Sequence, residues 1–116
     1  TMFRAKQARQ VLGGPLAMQH EILTQGPVAA TFTVYEDFMA YRSGVYAYTS
    51  GKRLGLHAVK VVGWGRMEDG TEYWRAFNSW GKSWGMNGTF KIAFGQCGFE
   101  ESVYTATPCI QGEICV

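Results

Sequence analysis

Apolar and polar positions divide this chain into one helical stretch followed by a series of strands. Residues 1–14 are mostly polar and end in Gly13-Gly14. Leu16, Met18, Ile22 and Leu23 then supply an apolar stripe for a short helix through Gln25. Pro15 suits a first helical residue, and Gly26-Pro27 stops the helix. Val28 to Tyr35 is rich in β-branched and aromatic side chains, which predicts a strand. One or two helical turns fit Glu36 to Tyr41, ending at Ser43-Gly44, and Val45 to Tyr48 reads as a brief extended piece. The run Leu56 to Trp64 is apolar on nearly both faces, so it is expected as a central strand. Glu68-Asp69-Gly70 marks a turn into a returning strand, Thr71 to Asn78. Asn87-Gly88 turns the chain again into Thr89 to Ile92. A last short strand covers Val103 to Ala106, and a loose tail follows from Thr107.

This succession predicts an α+β fold, mainly antiparallel β with one N-terminal helix, its sheet curled into a small open barrel. Residues 1–14 are read as an N-terminal extension, 15–108 as the domain and 109–116 as a tail.

Composition agrees with a folded domain. The chain has 116 residues, 47% of them hydrophobic and 17% charged. That length predicts one compact domain, and that apolar content is enough to offset the entropy of ordering it. No apolar run is long enough to span a bilayer as a helix. Arg4, Lys6 and Arg9 precede no apolar run, so no signal peptide is read in these residues. A start at Thr1 without a leading methionine is expected of a processed chain or of a piece expressed on its own. The net charge is +2 with scattered basic residues. The densest group, Arg4 to Arg9, lacks aromatic interleaving and is read as a solvated face, so neither nucleic acid nor membrane is expected as a partner.

Cysteines are Cys97, Cys109 and Cys115. An odd count leaves a free thiol or a partner elsewhere. The Cys109–Cys115 spacing permits a small loop disulfide in an oxidising compartment. There is no CxxC pair, and the two histidines stand far apart, so the reading includes no metal and no cofactor.

Chemistry enters with His57 and Asn78. If the hairpin is centred between Met67 and Glu68, the two residues oppose each other on adjacent strands. Directly opposed side chains stand about 4.5–5.5 Å apart at Cβ, near enough for an amide oxygen to accept an imidazole N–H. A bulge among the turn residues would shift this register by a residue or two. A thiol of ordinary pKa is a poor nucleophile at neutral pH. A neighbouring imidazolium stabilises the thiolate and later protonates the leaving amine. A neutral amide fixes that ring without cancelling its charge, and an apolar cover such as Trp80 keeps water off the bond. Taken singly, each residue has a plainer reading. A histidine in a strand is most often structural, and Trp64 and Trp74 are read as core aromatics.

The combination in order carries more. His57-Ala58-Val59, Gly63-Trp64-Gly65, Tyr73-Trp74 and Asn78-Ser79-Trp80-Gly81-Lys82-Ser83-Trp84-Gly85 resemble the C-terminal half of papain-family cysteine peptidases, the cathepsin B-like branch in particular. Gly26-Pro27-Val28, Val34 to Phe38, Tyr41 to Tyr46 and Cys97 to Glu100 follow the same pattern. The likeness spans roughly residues 15–108.

The resemblance implies the right-hand, barrel-like domain of a two-domain thiol protease. His57 would be the acid/base partner of a thiolate, Asn78 its orienting amide and Trp80 the cover. Val34 and Met39 would line the first primed subsite, and Thr31, Leu56, Ala58 and Ser102 the pocket for the second residue before the scissile bond. The partners implied are an N-terminal half that carries the nucleophilic cysteine, and peptide or protein substrates. The compartment implied is lysosomal, vacuolar or secreted. Two departures stand out. Leu56 replaces a glycine before the histidine, and Ser102 replaces a glutamate at the pocket floor, which predicts apolar over arginine side chains there. No cysteine of the chain matches the nucleophile, so this stretch alone is expected to be inactive. Its unpaired interdomain face is expected to self-associate. A peptide- or inhibitor-binding homologue without a nucleophile is the competing reading. A purely structural β-barrel would not need His57 and Asn78 together.

Overall fold

The computed structural model describes residues 9–105, 107–108 and 114–115. Helix α1 (Gly14–Gln25) leads into β1 (Val28–Tyr35), the single-turn helix α2 (Glu36–Met39), β2 (Val45–Tyr46) and β3 (Arg53–Arg66). Then follow β4 (Glu72–Phe77), β5 (Thr89–Ala93) and β6 (Val103–Thr105). These strands make one sheet in the order β2-β5-β4-β3-β1-β6. It is antiparallel except where β2 runs parallel to β5. It stays open, with β2 and β6 as its edges. The expected α+β, mainly antiparallel architecture is therefore present. Beyond the tail boundary expected at Thr107, β7 (Thr107–Pro108) pairs with β8 (Ile114–Cys115). Arg4 and Lys6 of the basic group, and Cys109 of the suggested disulfide, lie outside the described residues.

Helix α1 has the predicted start and stop. Pro15 sits in its first turn, and the Gly26 N–H reaches back to Glu21 O and Ile22 O. Half of its predicted apolar stripe holds, with Met18 buried and Ile22 packed against the core. Met18 and Glu21 face inward, while Leu16 and Leu23 are 79% and 75% exposed. The buried side is set by Glu21, whose carboxylate accepts from Arg9 at 2.9 Å. That partner lies outside any stripe that apolar periodicity registers.

Strand β3 holds the predicted interior place between β4 and β1. It is longer than Leu56 to Trp64 and is not covered on both faces. His57, Val59 and Val61 face the core side, whereas Leu54, Leu56 and Ala58 are exposed. The core gathers Met18 from α1, Phe38 from α2, Phe99 from the loop before β6, and Phe32, Trp74 and Phe90 from the sheet.

The β3–β4 register differs from the one expected. Met67 and Thr71 close the hairpin around Glu68, Asp69 and Gly70 (Met67 N→Thr71 O, 2.8 Å). Asp69 Oδ1 caps the Thr71 N–H at 2.9 Å, and Gly70 takes φ 95°. The turn is therefore centred on Asp69, so that Trp64 opposes Trp74. A bulge between Val61 and Gly63 shifts the ladder once more, and it ends with Lys60 opposite Phe77.

Candidate functional site

Three elements converge on His57. Strand β3 carries it on the core face, directly opposite Phe32 of β1. Asn78 lies just past the end of β4, its backbone tied by Asn78 N→Gly88 O at 2.8 Å. The Asn87-Gly88 turn makes this possible. Both residues take positive φ, 56° and 86°, as a tight two-residue hairpin demands. Trp80 follows in the loop before β5.

His57 Nε2 stands 2.7 Å from Asn78 Oδ1. The predicted pairing is thus made, but diagonally, beyond the end of the ladder and not by opposition within it. The same oxygen accepts the Ser79 N–H at 2.7 Å. Two donors on one atom identify it as the carbonyl oxygen, which makes His57 Nε2 the protonated nitrogen and Asn78 the acceptor. This orientation has a cost: Asn78 Nδ2 is buried with no hydrogen-bond partner among the described residues. His57 Nδ1 is left to face whatever adjoins the site.

The Trp80 ring lies over the imidazole, 4.9 Å between centroids and 21° from parallel. Phe38 meets Trp80 at 5.6 Å and Trp84 meets it at 5.2 Å, both close to perpendicular. Trp84 is itself fixed by its Nε1–H on Met39 O at 3.2 Å. Gly85 permits this loop: a Cβ there would stand 2.7 Å from Thr89 O.

The residues of the predicted pocket gather on β1, β3 and the segment before β6. Thr31 opposes Ala58, and Leu56 opposes Thr33. Thr31 N donates to Ser102 O at 2.9 Å. Because side chains alternate along a strand, Leu56 and Ala58 face away from the side that holds His57. Leu56 is 67% exposed. Of the other pair, Val34 is a buried core residue, whereas Met39 is half exposed. Met39 borders a cleft of about 330 Å³ with Arg42, Ser83, Trp84 and Gly85.

Two carboxylates near this region, Glu100 and Asp37, are engaged in the fold. Glu100 accepts from the Trp74 indole at 2.8 Å and from Gly95 N–H at 2.8 Å. It is committed to the fold and does not substitute for a carboxylate at position 102. Burial would raise the Asp37 pKa, but hydrogen bonds from Tyr46, Thr49 and Ser50 outweigh it and hold the carboxyl below its ordinary value. Cys97 is the opposite case. Burial pushes its thiol above the ordinary range despite a hydrogen bond with Tyr46, so it is a poor thiolate.

Phe38 and the Ser79 N–H are not legible as site elements in the sequence. Phe38 looks like any apolar residue in a short helix, and a backbone N–H has no letter of its own. Among the described residues, no helix is long and apolar enough to cross a membrane.

Residues 2–107 match the family described as papain family cysteine protease. The chain is 53% identical over 98 residues to "Cathepsin B-like cysteine proteinase 1" of Ostertagia ostertagi, covering 83% of this chain and 28% of that protein. It is 53% identical over 92 residues to cathepsin B of Dictyostelium discoideum, covering 79% and 29%. Among solved structures, procathepsin B S9 from Trypanosoma congolense superposes with a TM-score of 0.83 at 38% identity, over 97% of this chain and 37% of that one. Digestive procathepsin L2 of Tenebrio molitor gives 0.76 at 35%, over 89% and 34%. The chain spans under a third of the length of these curated relatives.

Proposed function

Because the chain belongs to the papain family of cysteine proteases, we propose that it is the His- and Asn-bearing C-terminal domain of a cathepsin B-like cysteine endopeptidase. The observation that carries this reading is the His57–Asn78 bond of 2.7 Å under the Trp80 ring. With Nε2 committed to Asn78, Nδ1 is the nitrogen that faces the reacting sulfur. His57 takes the thiol proton as a general base, holds the thiolate as its ion-pair partner, and returns the proton to the leaving amine. Asn78 orients the ring without adding charge, and Trp80 excludes water that would compete for the bond.

The thiolate comes from the N-terminal half of the protease, which is the principal partner. Peptides and proteins are the substrates. Thr31, Leu56, Ala58 and Ser102 form the pocket for the second residue before the scissile bond, and Met39 and Val34 border the first primed subsite. Val34 contributes there as a buried wall. No carboxylate stands at position 102 and Leu56 fills space, so this pocket takes apolar side chains in preference to arginine. The compartment is lysosomal, vacuolar or secreted.

This domain does not cleave peptides by itself, since none of its cysteines, Cys97, Cys109 and Cys115, matches the nucleophile of the family. Its exposed face, which includes Leu54, Leu56 and Phe77, is covered by self-association or by the N-terminal half. A monomeric mass by light scattering at high concentration would argue against self-association.

Leu56 favours one second reading, a homologue that binds peptides or inhibitors without cleaving them, because a branched side chain crowds the cleft. The deciding experiment uses the full-length protein. It should hydrolyse a fluorogenic peptide, lose that activity to a thiol alkylator, and lose it in His57→Ala. Peptide binding without turnover would favour the second reading.

A further inference from the structure

Phe38 is fully buried on the single turn of α2. Its ring meets Trp80 at 5.6 Å and 67°, Trp84 at 5.0 Å and Phe90 at 4.9 Å. We infer that Phe38 is a positioning residue for the His57–Asn78 pair, because its contact with Trp80 fixes how that indole lies over the imidazole. The inference rests on the peptidase reading and adds to it a residue that touches neither substrate nor reacting atoms.

The argument turns on how firmly α2 is mounted. Both residues before Phe38 are tied to the loop that follows β2. Asp37 accepts hydrogen bonds from Tyr46 Oη at 2.6 Å, Thr49 N at 2.9 Å, Thr49 Oγ1 at 3.1 Å and Ser50 N at 3.2 Å. Glu36 exchanges a pair with Lys52: Glu36 N→Lys52 O at 3.0 Å and Lys52 N→Glu36 Oε1 at 2.9 Å. The approach is close enough that a Cβ on Gly51 would stand 2.7 Å from Glu36 Cβ. Just after Phe38, Met39 O accepts the Trp84 indole N–H at 3.2 Å. Polar ties on either side therefore leave the Phe38 ring little freedom to move. Trp80, by contrast, is only half buried and is located by rings: Phe38, Trp84 and His57 itself. Near-perpendicular aromatic pairs are directional, so the Phe38 ring fixes the tilt of the indole as well as its height. Without that ring Trp80 can tip away from His57, and water reaches the Nε2–Oδ1 bond. The result is a misoriented base in a protein that still binds substrate.

A core residue with no positioning role would behave differently, and Phe90 supplies the comparison. It is equally buried in the same cluster and touches Phe32, Phe38, Trp84 and Phe99. It has no ring contact with Trp80 or His57 among the described residues. The experiment compares Phe38→Leu with Phe90→Leu in the full-length protease, at temperatures equally far below each variant's Tm. Phe38→Met, whose unbranched and flexible side chain fills irregular gaps, serves if Phe38→Leu does not fold. Phe38→Leu should lower kcat about tenfold with KM changed less than about twofold, whereas Phe90→Leu should leave kcat within about twofold. The second measurement is the imidazole N–H proton of His57 by NMR, protected from exchange in the parent and in Phe90→Leu and broadened by exchange in Phe38→Leu. Equal losses of kcat in both variants, or an imidazole signal unmoved in Phe38→Leu, would overturn the inference. The NMR signal does not depend on turnover. A parent that shows the protected proton but cleaves no peptide would defeat the peptidase reading alone and leave the positioning of Trp80 to be judged by the spectra.

Discussion

Trp80 stacks on the face of His57 with 4.9 Å between ring centroids, which leaves both ring nitrogens free to hydrogen-bond in the imidazole plane. The indole therefore acts on the ring by excluding water and restricting tilt. Trp80→Phe should keep most of the cover and most of the activity. Trp80→Ala exposes the His57–Asn78 bond to solvent, and kcat should fall roughly 10- to 100-fold, less than the roughly 100- to 10,000-fold that a positioned acid/base group contributes, because the base is loosened and not removed. Steady-state kinetics on a short peptide substrate checks this. A larger change in KM than in kcat would point to substrate contact instead.

Most of this site is legible in the sequence because a few side chains carry it. His57, Asn78 and Trp80 have chemistry that names itself, and strands β1 to β6 have the alternation or β-branched density that marks strands. What the pattern does not contain is offset. The three-residue turn around Asp69 and the bulge after Val61 each displace the ladder, and neither leaves a trace in hydrophobicity. His57 and Asn78 still meet because an amide side chain spans a diagonal as readily as a direct opposition. The buried face of α1 escapes the pattern in part, for a similar reason. Its orientation is set in part by the Arg9–Glu21 pair, and a buried carboxylate does not register in an apolar stripe.

Replacing Asn78 by aspartate tests why the amide is neutral. A carboxylate 2.7 Å from the imidazole pairs with the imidazolium and favours it over the neutral ring. The alkaline limb of kcat/KM should therefore move to higher pH. Asn78→Asp also removes the unpartnered donor Nδ2, so acidic Tm should not fall. An unchanged alkaline limb would mean that Asn78 does not control the ring.

Asp37 contributes to the acid side of the stability profile. Burial would raise its pKa, yet the hydrogen bonds from Tyr46, Thr49 and Ser50 bring the folded value below 3.8. Its contribution is then fully present above the unfolded value near 3.8 and is lost as pH falls through the lower folded value. Asp37→Asn should lower Tm at neutral pH and flatten the loss of Tm below about pH 4. Thermal melts from about pH 2 to 7 decide it, and parallel curves for parent and variant would contradict the assignment.

Selectivity at the pocket should respond to Ser102→Glu. Glu100 is committed to Trp74 and Gly95, so a carboxylate at 102 would offer a basic side chain a partner that Glu100 does not supply. In the full-length protease the ratio of kcat/KM for arginine over phenylalanine peptides should rise about tenfold, equivalent to roughly 1.4 kcal/mol of transition-state preference. A parent enzyme already dominated by arginine substrates would remove the premise.

Glu100 itself should matter for stability and not for selectivity. Trp74 is fully buried, and its indole N–H donates to Glu100 Oε2 at 2.8 Å. The Gly95 N–H, in a loop where Gly95 takes φ 81°, leans on the same carboxylate. Glu100→Ala strands a buried donor that water cannot easily reach, which costs about 1–3 kcal/mol. Both donors reach Oε2, so Glu100→Gln with its carbonyl oxygen at that position keeps a neutral acceptor for both and should lose less. Denaturant unfolding of both variants gives the comparison, while the arginine-to-phenylalanine ratio should stay within about twofold of the parent, since no selectivity contact is removed. If Glu100→Ala instead altered that ratio and left stability untouched, the carboxylate would be facing the pocket and not the core.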